Sequence, residues 1–220
     1  MSLSAAGWYI VLVMLVMYWI PLRLWYRRWG VTDAERTQPM LGDRVVSKPN
    51  YEAMLAVTID ATPDCIWPWL IQMGKGRGGL YSYDWLDRLF GYLDRPSANQ
   101  ILPQFQRLAV GDVMPIGGPG GFPVVALQPF ETLVLGGHAD GFEWAWELSL
   151  VPISRERTRL ISRSRARVPR SVGSTVFMLA LEPAAFIMTR KMLLGIQHRA
   201  EVLQRQPRRQ QAAAGAFVVF

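Results

Sequence analysis

Cysteine and histidine are scarce in this sequence. Its 220 residues include one cysteine, Cys65, and two histidines, His138 and His198. One cysteine cannot form an internal disulfide, which is consistent with a reducing compartment. Neither histidine stands at a metal-ligand spacing, and Cys65 has no sequence-local partner that would mark it as a nucleophile. The sequence therefore indicates no metal site and no cofactor.

Charge is missing from one long stretch near the amino terminus, Leu3 to Leu22. At about 1.5 Å per residue, a helix of this length crosses a hydrocarbon core of roughly 30 Å. Tryptophan and tyrosine stand near both ends, where amphipathic rings favour the headgroup level. A cleaved signal peptide is the alternative, but the run lacks a basic start and a small-residue cleavage site. We predict a transmembrane anchor with its basic flank over residues 1–29.

Cations follow this run, beginning with Arg23, Arg27 and Arg28. By the positive-inside rule, the rest of the chain lies in the cytoplasm, so we predict a single-pass protein of the cell membrane. The net charge of +7 could indicate a nucleic-acid partner. However, no helix-turn-helix, zinc or ribonucleoprotein signature accompanies it, so we expect no nucleic acid and favour anionic lipid.

The rest of the chain divides by composition. Residues 30–50 are polar and proline-punctuated, as expected of a juxtamembrane linker. Residues 51–205 contain the periodic segments of one domain, and residues 206–220 are predicted to be a disordered tail.

Within the domain, a first strand at Met54 to Asp60 is followed by two short helices, a run of antiparallel strands and one long helix. Thr62 and Ser82 are the expected N-caps of the short helices, and Pro68 is expected to break or bend the first. The long helix is predicted from Glu182 to Arg205. This order predicts an α+β fold, with the long helix lying across a curved antiparallel sheet.

Several segments carry a family resemblance: "ATPDCIWPWLIQMGKGRGGLYSYDWLDRL", "VGDVMPIG", "FEWAWELSL", "TRLISRSR" and "EPAAFIMTRKMLLGIQHRAE". They resemble the START/Bet v 1-like superfamily, in particular its bacterial SRPBCC or polyketide cyclase/dehydrase-like members. The resemblance covers roughly Tyr51 to Leu203. It implies a helix-grip fold that encloses a cavity for an apolar small molecule. Because the superfamily includes lipid carriers, hormone receptors and cyclases, it implies no single reaction.

Alternation along two predicted strands indicates what the cavity contains. Trp144, Trp146 and Leu148 share one face, and Ser162 and Ser164 share a face of the next strand. Small residues beside two tryptophans suggest unfilled space more than a tight core. The opposite faces carry Glu143, Glu147 and a series of arginines. For these we favour cross-strand ion pairs over an anion-binding or lipid-headgroup surface.

The loop "GKGRGG" separates the two short helices. We predict a hinge there, with Trp67, Leu70, Tyr81 and Tyr83 at the entrance or wall of the cavity. Two alternatives remain: the loop could cradle phosphate, although it lacks the lysine-serine end of a P-loop, or the aromatics could fill an ordinary core. The full set of predicted ligand-binding residues is Trp67, Leu70, Tyr81, Tyr83, Trp144, Trp146, Leu148, Ser162, Ser164, Leu193 and Ile196.

Catalytic candidates are few. The best placed acid/base groups are Tyr83, Asp84 and His198. Each has a structural alternative, since Asp84 suits the first turn of a helix and His198 suits a helix surface.

The first half of the last helix is apolar nearly all round, so it must bury two faces. One face could close the cavity, and the other could pack on the sheet rim, a partner or the bilayer. A second transmembrane span is the alternative, although Glu182 and Pro183 would lie in its middle.

Together these features predict membrane-anchored binding or transfer of a lipophilic small molecule, such as a lipid, a quinone or a polyketide-like compound. One alternative is a cyclase or dehydrase that acts on an aromatic polyketide-like substrate. Another is an assembly factor with a vestigial cavity that docks a membrane protein partner.

Overall fold

The structure is a computed structural model that describes residues 5–117, 120–139 and 141–216. Six strands form one sheet in the order β1-β6-β5-β4-β3-β2, and every neighbouring pair is antiparallel. The strands are β1 Tyr51–Ile59, β2 Val113–Met114, β3 Phe122–Gln128, β4 Thr132–Ala139, β5 Phe142–Ser154 and β6 Arg157–Arg167. The helices are α1 Ala5–Tyr26, α2 Asp33–Thr37, α3 Pro63–Ile71, α4 Asp84–Leu89 and α5 Val172–Ala216. Two short 3-10 turns span Leu41–Arg44 and Pro103–Phe105.

The sheet grips the carboxyl-terminal half of α5. Leu193, Ile196 and Ala200 on α5 are fully buried in the main core, together with residues of β1 and α3 such as Leu55 and Leu70. This is the predicted α+β helix-grip fold, so the fold class is confirmed. The strand predictions succeed because period-two alternation marks a half-buried sheet directly.

The short helices differ in detail from the sequence predictions. Pro68 removes one backbone donor, yet α3 continues through it to Ile71, because burial of Ile66, Trp69 and Leu70 stabilises the last turn. The N-cap of α4 is Tyr83. Ser82 instead donates its hydroxyl to the carboxylate of Asp87.

Residues 30–50, predicted to be a linker, fold against the outer face of the sheet, and we call them the outer strap. Thr32 and Glu35 form a capping box that starts α2. Arg159 on β6 donates to Glu35 at 2.7 Å, and the backbone N–H of Gly42 donates to Glu147 on β5 at 2.7 Å. The strap is ordered because the charged outer face of the sheet supplies its partners.

Ion pairing on that face follows the prediction in part. Glu143 pairs with Arg167 across the strands at 3.8 Å. Glu147 lies opposite Arg163 in register, but it accepts from Gly42 and Ser149. Arg163 pairs with Asp43 and Glu52.

α5 is longer than predicted at both ends and runs through Pro183. Helix extends to Ala216, into the predicted disordered tail, of which residues 217–220 lie outside the described residues. Over the residues that the structure describes, Val172–Gln206 has the length and composition to cross a membrane. Core helices of soluble proteins pass the same test. Residues 1–4 of the predicted anchor are also outside the described part.

The end of α1 is fixed to the domain at two places. Arg23 Nη2 pairs with Glu182 Oε1 at 2.6 Å, and the Glu182 side chain is only 1% exposed. Beyond α1, the carbonyl oxygens of Arg27 and Trp29 accept hydrogen bonds from the backbone N–H groups of Met54 and Ala56 at 2.8 and 3.1 Å. Residues 27–29 thereby pair with β1, the strand at one edge of the sheet.

Candidate ligand cavity

A cavity of about 820 Å³ lies between the sheet and the amino-terminal half of α5. The sheet contributes the first residue of β1, the beginning of β5 and the end of β6. The helix contributes one face from Gly173 to Thr189. The wall residues include Tyr51, Phe122, Phe142, Trp144, Trp146, Ser164, Ala166, Phe177, Met178, Leu181, Glu182, Ala185 and Thr189. Volumes of this size accommodate small organic ligands.

Aromatic side chains from β3 and β5 form one wall. The rings of Phe122 and Trp144 are 4.4 Å apart between centroids, and those of Phe122 and Trp146 are 6.3 Å apart. Gly137 lies opposite Trp144 in register on β4. A Cβ at Gly137 would stand 3.3 Å from the indole nitrogen of Trp144, so the missing side chain leaves room for the ring. Trp146 is oriented by a 2.9 Å hydrogen bond from its Nε1 to Ser162 Oγ.

Hydroxyl groups in the wall come from Tyr51, Ser164, Ser174 and Thr189, and its charged residues are Arg165 and Glu182. Burial, and secondly the negative charge of Glu182, raises the pKa of Tyr51 to about 12. Tyr51 is therefore neutral at physiological pH and able to donate a hydrogen bond. The Glu182 carboxylate is engaged by Arg23 and by the hydroxyl of Tyr26 at 3.1 Å.

Three predicted ligand-binding residues line this cavity: Trp144, Trp146 and Ser164. They are on the strand faces indicated by alternation. Within the described residues, no group of three or more His, Cys, Asp and Glu side chains is placed to hold a metal ion.

The other predicted ligand-binding residues lie elsewhere. Six of them are buried: Leu70, Tyr81, Leu148, Ser162, Leu193 and Ile196. Trp67 is buried as well and borders a separate surface cleft beside Phe130. Tyr83 is half-buried, with the ammonium group of Lys191 5.6 Å from its ring centroid. The sheet and α5 close tightly at their far end, so residues expected to face open space there meet packed side chains.

The "GKGRGG" loop is tied down and lies apart from the cavity wall. Gly74 and Gly79 form a backbone bridge. Lys75 Nζ donates to the carbonyl oxygen of Gly91 at 2.7 Å, and Arg77 donates to that of Ile71 at 2.8 Å. The structure thus gives this loop a bracing role between α3 and α4, where the sequence suggested a hinge.

The catalytic candidates are also away from the cavity. Asp84 accepts hydrogen bonds from the backbone N–H of Ser97 at 2.9 Å and from its hydroxyl at 2.6 Å, which fixes the chain after α4. His198 is exposed on α5. Of the cavity-lining residues that the structure describes, none is Tyr83, Asp84 or His198.

The sequence predicted that one face of the last helix could close the cavity, but it began that helix only at Glu182. The prediction therefore includes Ala185 and misses Phe177, Met178 and Leu181, which line the cavity from the preceding turns. The available signal was the uncharged run "STVFMLAL", which precedes Glu182 and is apolar all round.

The fold and the cavity together define a helix-grip protein with an apolar cleft. No protein-family model matches the sequence, and no curated protein is detectably similar to it.

Among solved structures, the Zhui aromatase/cyclase from Streptomyces sp. R1128 is similar at 14% identity, covering 69% of this chain and 93% of that chain with a TM-score of 0.44. A protein from Mesorhizobium loti is similar at 15% identity, covering 71% and 98%, with a TM-score of 0.42. A norcoclaurine synthase from Thalictrum flavum is similar at 15% identity, covering 68% and 96%, with a TM-score of 0.38. Likenesses this distant carry no argument about substrate or reaction.

Proposed function

We propose that this protein binds or transfers a lipophilic small molecule, such as a lipid, a quinone or a polyketide-like compound, while anchored in the cell membrane. The observation that carries the proposal is the cavity of about 820 Å³. A vestigial cavity would be expected to fill with side chains, since protein interiors are close-packed.

The wall favours a neutral ligand with an apolar body. Trp144 and Phe122 offer aromatic surface, and the hydroxyls of Tyr51, Ser164 and Thr189 can orient a carbonyl or hydroxyl oxygen. Charge on the ligand is disfavoured because both charged residues of the wall already have partners: Glu182 pairs with Arg23, and Arg165 pairs with Asp43 and Glu52.

The membrane part of the proposal rests on α1 and its flank. The uncharged run ends at Leu22, and Arg23, Arg27 and Arg28 follow, which supports a cytoplasmic domain. The contacts of Arg23 and Tyr26 with Glu182 in the cavity wall support a position of the cavity at the membrane surface, where lipophilic molecules concentrate.

Binding is favoured over cyclisation by the chemistry of the wall. General acid/base catalysis needs a group that exchanges protons near the operating pH. The raised pKa of Tyr51 keeps that hydroxyl protonated, and Glu182 is held in an ion pair. The cyclase alternative would instead need turnover that depends on Tyr83, Asp84 or His198.

The test fills the cavity from the helix side. Ala185 lines the cavity, whereas its neighbour Ala184 is exposed on the same helix. Small molecules that co-purify with the full-length protein in detergent are measured by mass spectrometry. We expect a lipophile to be retained by the wild type and by Ala184→Trp, and to be lost from Ala185→Trp.

An empty wild-type protein would contradict the proposal and favour an assembly factor. Equal retention by both variants would also contradict it, because the ligand would then occupy another place. Circular dichroism of each variant confirms that the fold is kept.

A further inference from the structure

The first ten residues of α5 border the cavity on one side and are exposed on the others, and we call residues 172–181 the helix tip. It contains no charged residue. Val172 is 83% exposed and Phe177 is 63% exposed, and Val176 and Leu181 are exposed as well. Large apolar side chains in this number on one short element indicate a contact surface.

The contacts between α1 and α5 fix the direction of the tip. Arg23 meets Glu182, the ring of Tyr26 lies 5.5 Å from that of Phe186, and Arg190 lies over the ring of Trp29 at 4.8 Å. Residue numbers rise together on both sides, so the two segments run parallel. The residues of α1 before Arg23 therefore leave the domain on the same side as the helix tip.

We infer that the helix tip inserts into the cytoplasmic leaflet beside α1 and that the cavity opens directly to the acyl chains there. At about 1.5 Å per residue the tip reaches about 15 Å beyond Glu182, which is close to half of a hydrocarbon core. The orientation of α1 used here rests on the proposed function.

The distribution of side chains favours lipid over a protein partner. At about 100° per residue, Val172, Phe177 and Leu181 point in directions spread over roughly 180°. A groove on another protein covers one stripe of a helix, whereas acyl chains solvate all sides that the domain leaves free. Phe177 and Leu181 share the border of the cavity with Met178, whereas Val172 and Val176 point away from it.

Charged residues lie at both ends of the tip. Glu182 at its base is paired with Arg23, so no uncompensated carboxylate enters the apolar layer. Arg167 is exposed at the end of β6, and Arg170 is exposed two residues before Val172. Arg170 is thus at the end of the tip farthest from Glu182, so its charge has to reach back along the tip to the headgroups. Long arginine side chains extend their charge towards phosphates from an apolar depth, and anionic lipid adds attraction.

The cavity and the tip share residues. Phe177 and Leu181 line the cavity and are also exposed on the tip. A lipophile in the acyl layer that contacts these two side chains is already at the cavity mouth. Entry from the bilayer therefore avoids passage through water.

The test compares Phe177 with Ile153, an apolar residue that is 57% exposed near the opposite end of the sheet. Each is changed to cysteine in the full-length Cys65→Ser protein and labelled with an environment-sensitive fluorophore. The labelled proteins are placed in nanodiscs of phosphatidylcholine and phosphatidylglycerol that carry a nitroxide on the acyl chains. We expect a blue-shifted and strongly quenched signal for Phe177→Cys, and a water-like, unquenched signal for Ile153→Cys.

Equal, water-like signals at both positions would overturn the inference, and so would quenching of Phe177→Cys only by nitroxide on the headgroups. Ligand retention is measured on the unlabelled wild-type protein in the same nanodiscs, because Phe177 lines the cavity. A retained lipophile with an unquenched label leaves the proposed function standing without membrane insertion of the tip. A quenched label with no retained lipophile would support membrane insertion of the tip and contradict the proposed function.

Discussion

Trp144 and Trp69 are the same residue type in opposite environments. Trp69 is buried and meets Tyr81 edge-on at 5.8 Å, whereas Trp144 is half-buried at the cavity wall. We expect Trp69→Ala to lower the free energy of unfolding by the ~3–5 kcal/mol typical of an emptied core site. Trp144→Ala should cost clearly less and should weaken lipophile binding.

Chemical unfolding in detergent, together with quenching of the remaining tryptophans by added ligand, separates the two effects. A full core-sized loss for Trp144→Ala with unchanged binding would mean that the cavity wall is ordinary core.

Asp87 is a buried carboxylate whose Oδ1 has no hydrogen-bond partner among the described residues. Burial raises its pKa, and the nearby charge of Asp84 adds to this, against the lowering effect of the Ser82 hydroxyl. Since the folded pKa is above the unfolded one, Asp87 favours folding when protonated, and that contribution is lost as pH rises through the folded pKa.

We therefore predict that Asp87→Asn raises the free energy of unfolding at neutral pH, and that this gain shrinks as the pH is lowered towards the acidic range. Urea unfolding at several pH values measures it. Asp64→Asn, at an exposed carboxylate of α3, serves as the control and should give no stabilisation. A gain for Asp87→Asn that does not vary with pH would show that titration is not its cause.

At the scale of elements, the position of α5 depends on a close backbone contact between Gly195 and Tyr81. A Cβ at Gly195 would overlap the carbonyl oxygen of Tyr81, while one at Gly173 would have Ser171 Oγ as its nearest neighbour at 3.9 Å. Alanine is intrinsically better than glycine in a helix by up to about 1 kcal/mol. We predict that Gly173→Ala is neutral or stabilising, and that Gly195→Ala destabilises by about 1–3 kcal/mol through overpacking.

Thermal unfolding of the two variants measures the difference between these matched positions. Equal effects would mean that the loop at Tyr81 shifts freely and does not seat the helix.

Elements were predictable where the signal was local. Alternation identified β5 and β6, and Thr62 with Pro63 marked the start of α3. The outer strap was not predictable, because its order depends on Arg159 and Glu147, which are more than a hundred residues away. The course of α3 through Pro68 likewise depends on tertiary burial.

For the candidate site, the sequence predicted which strand face a side chain is on, but not whether that side chain lines the cavity or is buried in the core. Trp144 and Leu148 lie on the same face of β5, yet one lines the cavity and the other is fully buried. Alternation says which way a side chain points. What it meets depends on where α5 crosses the sheet, and that is a property of the assembled fold.

For the molecule as a whole, the charge distribution predicts topology. Protease added outside intact cells should leave residues 51–205 uncut, because the positive-inside rule, applied to the cations after Leu22, predicts a cytoplasmic domain. Immunoblotting of the domain is the measurement, and permeabilised cells provide the positive control. Cleavage of the domain in intact cells would contradict the predicted orientation and place the domain outside the cell.

Residues 27–29 limit how far the domain can move relative to α1. If residues 30–50 were a free coil, their root-mean-square end-to-end distance would be roughly 25 Å, and the domain would tumble at the end of this coil. Here the chain pairs with β1 within three residues of the end of α1, through Arg27 and Trp29. In the proposed membrane-anchored state, the domain would therefore keep one distance and one orientation relative to the bilayer while it diffuses laterally.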